Sequence, residues 1–249
     1  MLQLNNITKR FADGQRSLTV LDHLSLTVGD GEFIAITGES GAGKTTLLSI
    51  LGTLLDADEG EYAINGTPVE AANKNALRNR EIGMVYQDHR LLPQFTALQN
   101  ILLPTLATKS APSAQEEQRA LQLLDFMGIT DLKDSPVVNL SGGEKTRVAI
   151  CRALIMEPSI LLADEPTGQL DAANAQTIAD LFRKVNSELR TTIVMVTHSA
   201  EMAKAAQTVY VLEGGEVRVK SEAPPPTPPP SRMGIRSPLW GRSDIKSLL

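Results

Sequence analysis

Eight consecutive residues, Gly38-Glu39-Ser40-Gly41-Ala42-Gly43-Lys44-Thr45, constrain this chain more than any other stretch. They follow a short apolar run, Phe33-Ile34-Ala35-Ile36, and precede Thr46-Leu47-Leu48-Ser49-Ile50-Leu51, which reads as a helix. A glycine-rich loop between a buried strand and a helix turns successive backbone N–H groups inward, and the helix adds its positive end. The spacing G-x-x-x-x-G-K-[ST] therefore implies phosphate capture by residues 38–46. Lys44 is placed to reach the β- and γ-phosphates of a nucleotide, and the Thr45 hydroxyl to coordinate Mg²⁺.

The rest of the chain supplies a setting for such a loop. Leu24, Leu26 and Val28 alternate as one face of a strand, followed by the turn Gly29-Asp30-Gly31. Short apolar runs recur at Ile82 to Tyr86, Ile160 to Ala163 and Ile193 to Val196, the pattern of strands buried on both faces of a parallel sheet. Between them lies a helical stripe, Ile178, Leu181, Phe182, Val185 and Leu189, with Asp171 as its N-cap. Residues 209–212 and 217–219 flank Glu213-Gly214-Gly215-Glu216 as a hairpin. Strands alternating with helices predict an α/β fold with a mainly parallel sheet. From about 99 to 156 the signals are helical only. Ser113-x-x-Glu116 is a capping box ahead of Ala120, Leu121, Leu123, Leu124 and Phe126, and Gly128 is the stop.

A second chemical feature is Asp164-Glu165, delivered by the run Ile160 to Ala163. Ligands of open α/β sheets bind at the carboxyl ends of strands. Neighbouring carboxylates point opposite ways from a strand, so Asp164 is expected to orient Mg²⁺ and Glu165 to polarise the attacking water. Asn73-Lys74-Asn75-Ala76 falls short of the guanine-recognition pattern N-K-x-D, which argues against a GTPase.

Composition removes other classes. The net charge of −5 argues against nucleic-acid binding through a broad basic surface. No run approaches the roughly 18–20 apolar residues of a membrane span, and MLQLNNITKR is not a secretory signal, so a cytosolic protein is expected. The single cysteine, Cys151, allows no internal disulfide and reads as a buried small hydrophobe. Seven of the fourteen prolines fall in residues 221–249, a segment expected to be extended and disordered, with Trp240 beyond the cluster.

Leu140-Ser141-Gly142-Gly143-Glu144 decides among the nucleotide-binding classes. It resembles the signature of the ABC ATPases, with Glu144 where glutamine is usual. Ser141-x-x-Glu144 is also a capping box that opens a helix read as Lys145 to Ile155. The remaining landmarks come in family order over residues 1–220. By that resemblance Phe11 stacks on adenine, and Gln87 senses Mg²⁺ and the membrane partner. Gln169-Leu170-Asp171 touches the opposite subunit, and His198 contacts the γ-phosphate. His23 and His89 match nothing and read as ordinary surface or packing residues.

The resemblance implies the ABC ATPase fold, a RecA-like P-loop NTPase core with an antiparallel β subdomain and the helical insert. It implies ATP and Mg²⁺ as ligands and a head-to-tail dimer in which Ser141, Gly142 and Gly143 of one copy face the P-loop of the other. It also implies integral membrane permease subunits as partners, and a place at the cytoplasmic face of the inner membrane. Gln87-Asp-His-Arg-Leu91-Leu92-Pro93-Gln-Phe95-Thr-Ala-Leu98-Gln-Asn100 is most similar to the lipoprotein-releasing (Lol) ATPases, within a branch shared with MacB-type exporters and FtsE-type division ATPases. Leu91, Leu92, Phe95 and Leu98 either line a groove for the partner's coupling helix or pack the insert. A non-transport regulator of cell-wall enzymes and a soluble ABC protein of translation or DNA repair are the competing readings.

Overall fold

The computed structural model describes residues 2–13, 16–107, 109–168 and 170–222. Gln169 and the proline-rich segment with Trp240 lie outside the described residues. The chain opens with β1 (Leu2–Asp13) and β2 (Arg16–Val28), then β3 (Phe33–Thr37) and α1 (Lys44–Leu51). β4 (Glu59–Ile64), β5 (Thr67–Pro68), α2 (Lys74–Glu81) and β6 (Ile82–Val85) follow. The helical region holds α3 (Ala97–Leu102), α4 (Ala114–Phe126) and α5 (Gly142–Leu154). The chain then runs through β7 (Ile160–Asp164), α6 (Ala172–Leu189), β8 (Thr192–Val196) and α7 (Ala200–Ala203). β9 (Thr208–Glu213) and β10 (Glu216–Glu222) close the described residues.

Two sheets organise these elements. One has the order β10-β9-β3-β8-β7-β6, and every pair from β9 to β6 is parallel. The other, β2-β1-β4-β5, is antiparallel. The apolar runs of β3, β7 and β8 divide between two cores because successive side chains face opposite ways. Phe33, Ala35, Leu161, Ala163, Ile193 and Met195 join α3, α4, α5 and α6 on one face. Ile34, Ile36, Leu162, Val194 and Val196 join α1 and the antiparallel sheet on the other. Both faces of the parallel sheet are thus covered, which is why these strands carry no polar alternation.

The α/β core, the antiparallel subdomain and the helical region agree with the sequence reading. Among the described residues from 96 to 156 there is no strand, only an isolated bridge between Thr96 and Pro136. The Ser113 box is formed in full, and α4 is followed by Gly128 at φ 67°. Two boundaries move. α5 starts at Gly142 rather than Lys145, because Ser141 caps a helix whose N3 residue is Glu144. β10 runs to Glu222, past the expected limit at 220, because its pairing with Val209 and Thr208 continues. Cys151 is fully buried, donates to the Leu123 carbonyl at 3.4 Å, and has its thiol pushed well up by that burial.

α5 sits close on β6 because Gly83 has no side chain. A β-carbon there would lie 2.3 Å from the Ala153 carbonyl oxygen, a backbone atom that cannot swing away. Gly83→Ala is expected to destabilise the fold by about 1–3 kcal/mol, the usual cost of overpacking a filled interior. Thermal unfolding measures it, and an unchanged Tm would mean that α5 seats differently.

Candidate nucleotide site

The loop from Gly38 to Gly43 leaves β3 at its carboxyl end, and α1 begins at Lys44. Gly43 is the N-cap of α1 at φ 99°, a left-handed conformation that favours glycine. A β-carbon there would also stand 2.8 Å from Val20 Cγ1, so the loop can lie against β2 only with glycine at this position. Lys44 is buried, and its ammonium donates to the carbonyls of Gly38 (3.0 Å) and Glu39 (2.7 Å). Those bonds hold the cation inside the curl of the loop.

β7 ends beside this loop, two strands from β3 in the sheet. Asp164 is its last residue and is half-buried; burial raises its carboxyl group above the usual range, repulsion from Glu165 adds to this, and Lys44 opposes it. Glu165 follows at φ 43°, its N–H donating to the Val196 carbonyl at 2.9 Å. Its Oε2 lies 2.8 Å from Nδ1 of His198, which follows β8 and is largely exposed. A left-handed glutamate held by the neighbouring strand is an uncommon backbone choice that aims the carboxylate back over the loop.

An open cleft of about 770 Å³ brings Lys44, Glu165 and His198 together, while Asp164 is not among the residues that line it. Ser40, Gly41 and Gly43 to Thr46 form its floor, Glu165 and His198 one wall, and Phe11, Leu18 and Val20 the other. Phe11 is 40% exposed, so it does not belong to the core and presents its ring to the cleft. Leu18 and Val20 were not singled out from the sequence; their signal was the alternation of β2, which continues toward the Arg16 end of that strand. Gly38, Glu39 and Ala42 line an adjoining cleft on the far side of the loop.

Other expected site residues stand apart from this cleft. Ser141 to Gly143 open α5 against the start of α6: a β-carbon on Gly142 would meet Leu170 Cδ2 at 2.9 Å, and one on Gly143 the Asn174 carboxamide at 3.4 Å. Asp171 caps α6 by accepting from the Asn174 N–H at 2.9 Å. Gln87 is exposed in the turn after β6 and lies near Gly168, whose β-carbon would be 3.1 Å from Gln87 Nε2. Leu91 and Leu98 pack on the helical core, Phe95 is half-buried and Leu92 is exposed.

A glycine-rich loop at the end of a central parallel strand, with a carboxylate pair ending a nearby strand, defines a P-loop nucleoside triphosphatase. The profile of the ABC transporter family matches residues 21–168, and this chain belongs to that family. It is 44% identical over 218 residues to the lipoprotein-releasing system ATP-binding protein LolD of Bacteroides thetaiotaomicron, covering 86% of this chain and 98% of the relative. The LolD of Saccharophagus degradans is 43% identical over 213 residues, covering 84% and 93%. Among solved structures the fold resembles the ATP-binding cassette MJ0796, a dimer in a post-hydrolysis state bound to ADP and Pi. That likeness has a TM-score of 0.80 and 36% identity, over 88% of this chain and 98% of the other.

Proposed function

We propose that this chain, at the cytoplasmic face of the inner membrane, binds ATP between two copies of itself, hydrolyses it, and thereby drives an integral membrane partner in lipoprotein release. The observation that carries the chemistry is the Glu165–His198 pair, 2.8 Å apart on the wall of the cleft that Lys44 and the P-loop floor. The cargo rests on the two LolD relatives, each spanned over nearly its whole length. Among the described residues no helix is long and apolar enough to cross a membrane.

Each residue has a distinct task. Backbone N–H groups of Gly41 to Thr46 and the start of α1 hold the phosphates, and Lys44 trades its loop carbonyls for phosphate oxygens. Phe11 covers the base. Thr45, Asp164 and Gln87 would hold Mg²⁺ through oxygen donors, the kind it takes, once Gln87 is brought in from the turn after β6. When bound, Mg²⁺ neutralises the charge that builds on the phosphate oxygens. Glu165 accepts a proton from the attacking water, and His198 orients the Glu165 carboxylate and donates toward the terminal phosphate. Ser141, Gly142 and Gly143 reach the same phosphate from the opposite copy, beside that copy's Asp171.

The partner claim is tested by capturing tagged Glu165→Gln protein from ATP-treated native membranes and identifying what comes with it. A stoichiometric membrane protein with a large extracytoplasmic domain is expected. Cell-wall regulators in its place would move the reading to division control, and ribosomal or repair proteins without a permease would overturn the membrane role.

A further inference from the structure

The turn that carries Gln87 is tied to α5 by side chains outside the proposed chemistry. His89 and Arg90 both have left-handed backbones, φ 59° and 47°, though neither is glycine. Two such residues in succession persist only where their surroundings hold them. Here the clamp is visible. The Arg152 guanidinium, from the last turn of α5, donates to the carbonyls of His89 and Arg90, each at 2.5 Å. At the other end of the helix, His89 Nε2 lies 2.9 Å from the Thr146 hydroxyl. His89 and Thr146 are both buried.

The direction of that last bond follows from its neighbour. Thr146 Oγ1 donates to the Gly142 carbonyl at 3.0 Å, which uses its one hydrogen. The hydroxyl therefore accepts from His89 Nε2–H, and a single relay runs from the turn after Gln87 to the first residue of the helix that Ser141 caps.

We infer that His89 is a positioning residue that latches the Gln87 turn to the Ser141 end of α5, so that the two move as one body when a dimer closes on ATP. The inference rests on the roles proposed above for Gln87 and Ser141. Its consequence is that a displacement of Gln87 by the membrane partner is felt at Gly142 through Thr146. Without the latch, the turn is held to α5 only at the far end of the helix, by Arg152.

The test is steady-state ATP hydrolysis by the full chain, with Tm and fluorescent-ATP binding measured in parallel. His89→Ala and Thr146→Val are each expected to lower kcat roughly fivefold or more, within the usual range of coupling through one network. KM and nucleotide affinity should stay within about twofold, since single-subunit binding is untouched. The double variant should be no slower than the singles, and His89→Gln, which keeps a donor at the same reach, should recover most of the rate. A loss confined to Tm with wild-type kcat would overturn the latch, as would additive losses in kcat. Wild-type protein that hydrolyses no ATP would overturn the ATPase reading itself, and the latch with it.

Discussion

Glu165→Gln is expected to reduce ATP hydrolysis by about 10²–10⁴-fold, the usual worth of a positioned general base, while ATP binding persists. The substitution preserves shape and removes only the basic carboxylate. The Glu165 N–H bond to Val196 belongs to the backbone and survives, and the position tolerates its left-handed conformation as before. With hydrolysis stalled, the nucleotide that joins two copies is not consumed. Protein that is monomeric without nucleotide should therefore accumulate as a dimer in Mg-ATP. Light scattering reads the mass and phosphate release reads the rate. A monomer at saturating Mg-ATP would remove the shared site, and an unaltered rate would remove Glu165 from the chemistry.

The second large effect belongs to Ser141→Arg. Ser141 stands at the exposed N-terminus of α5, where its side chain and backbone N–H both engage Glu144. Those contacts hold the Glu144 carboxyl group below the usual range, the Ser141 hydroxyl contributing most. In the proposed dimer, an arginine there would fill the space into which the opposite copy's phosphate has to come. Hydrolysis is expected to fall by at least the 10²–10³-fold that follows loss of a transition-state donor, with single-subunit ATP affinity unchanged. The substitution also removes a helix cap, worth about 1 kcal/mol. Ser141→Ala, which loses the cap without adding bulk, separates the two causes. If Ser141→Arg hydrolyses ATP at the wild-type rate, the site is complete within one copy.

Much of the architecture was legible because the relevant signals are local. α6 spans Ala172–Leu189 as the Asp171 cap and the apolar stripe predict, with Ile178, Phe182 and Val185 fully buried. β3, β7 and β8 were legible for the opposite reason: burial on both faces leaves an unbroken apolar run. β1 was harder. Its alternation Leu2, Leu4 slips at Asn5-Asn6, where Asn6 adopts φ 53° and the pairing register shifts before Ile7. A period of two cannot be followed across such a bulge. α2 buries none of its residues, so no stripe announces it. At the site, the P-loop and the Asp164-Glu165 pair were legible as spacing. His89 was not, because its partner Thr146 is 57 residues away and only the fold joins them. His23, by contrast, is the surface residue the sequence suggests, beside Asp22 at 2.7 Å.

The placement of β3 at the centre of its sheet has a consequence for how the protein is made. Phe33 to Ile36 pair on one side with Ile193 to Val196 and on the other with Thr208 to Tyr210. Those partners leave the ribosome some 160 residues later, on the order of 8–32 s at ordinary synthesis rates. Throughout that interval an apolar strand with two open edges has no place to go. The nascent chain therefore calls for shielding by a chaperone, and truncation before β8 should yield aggregates, not a smaller working cassette.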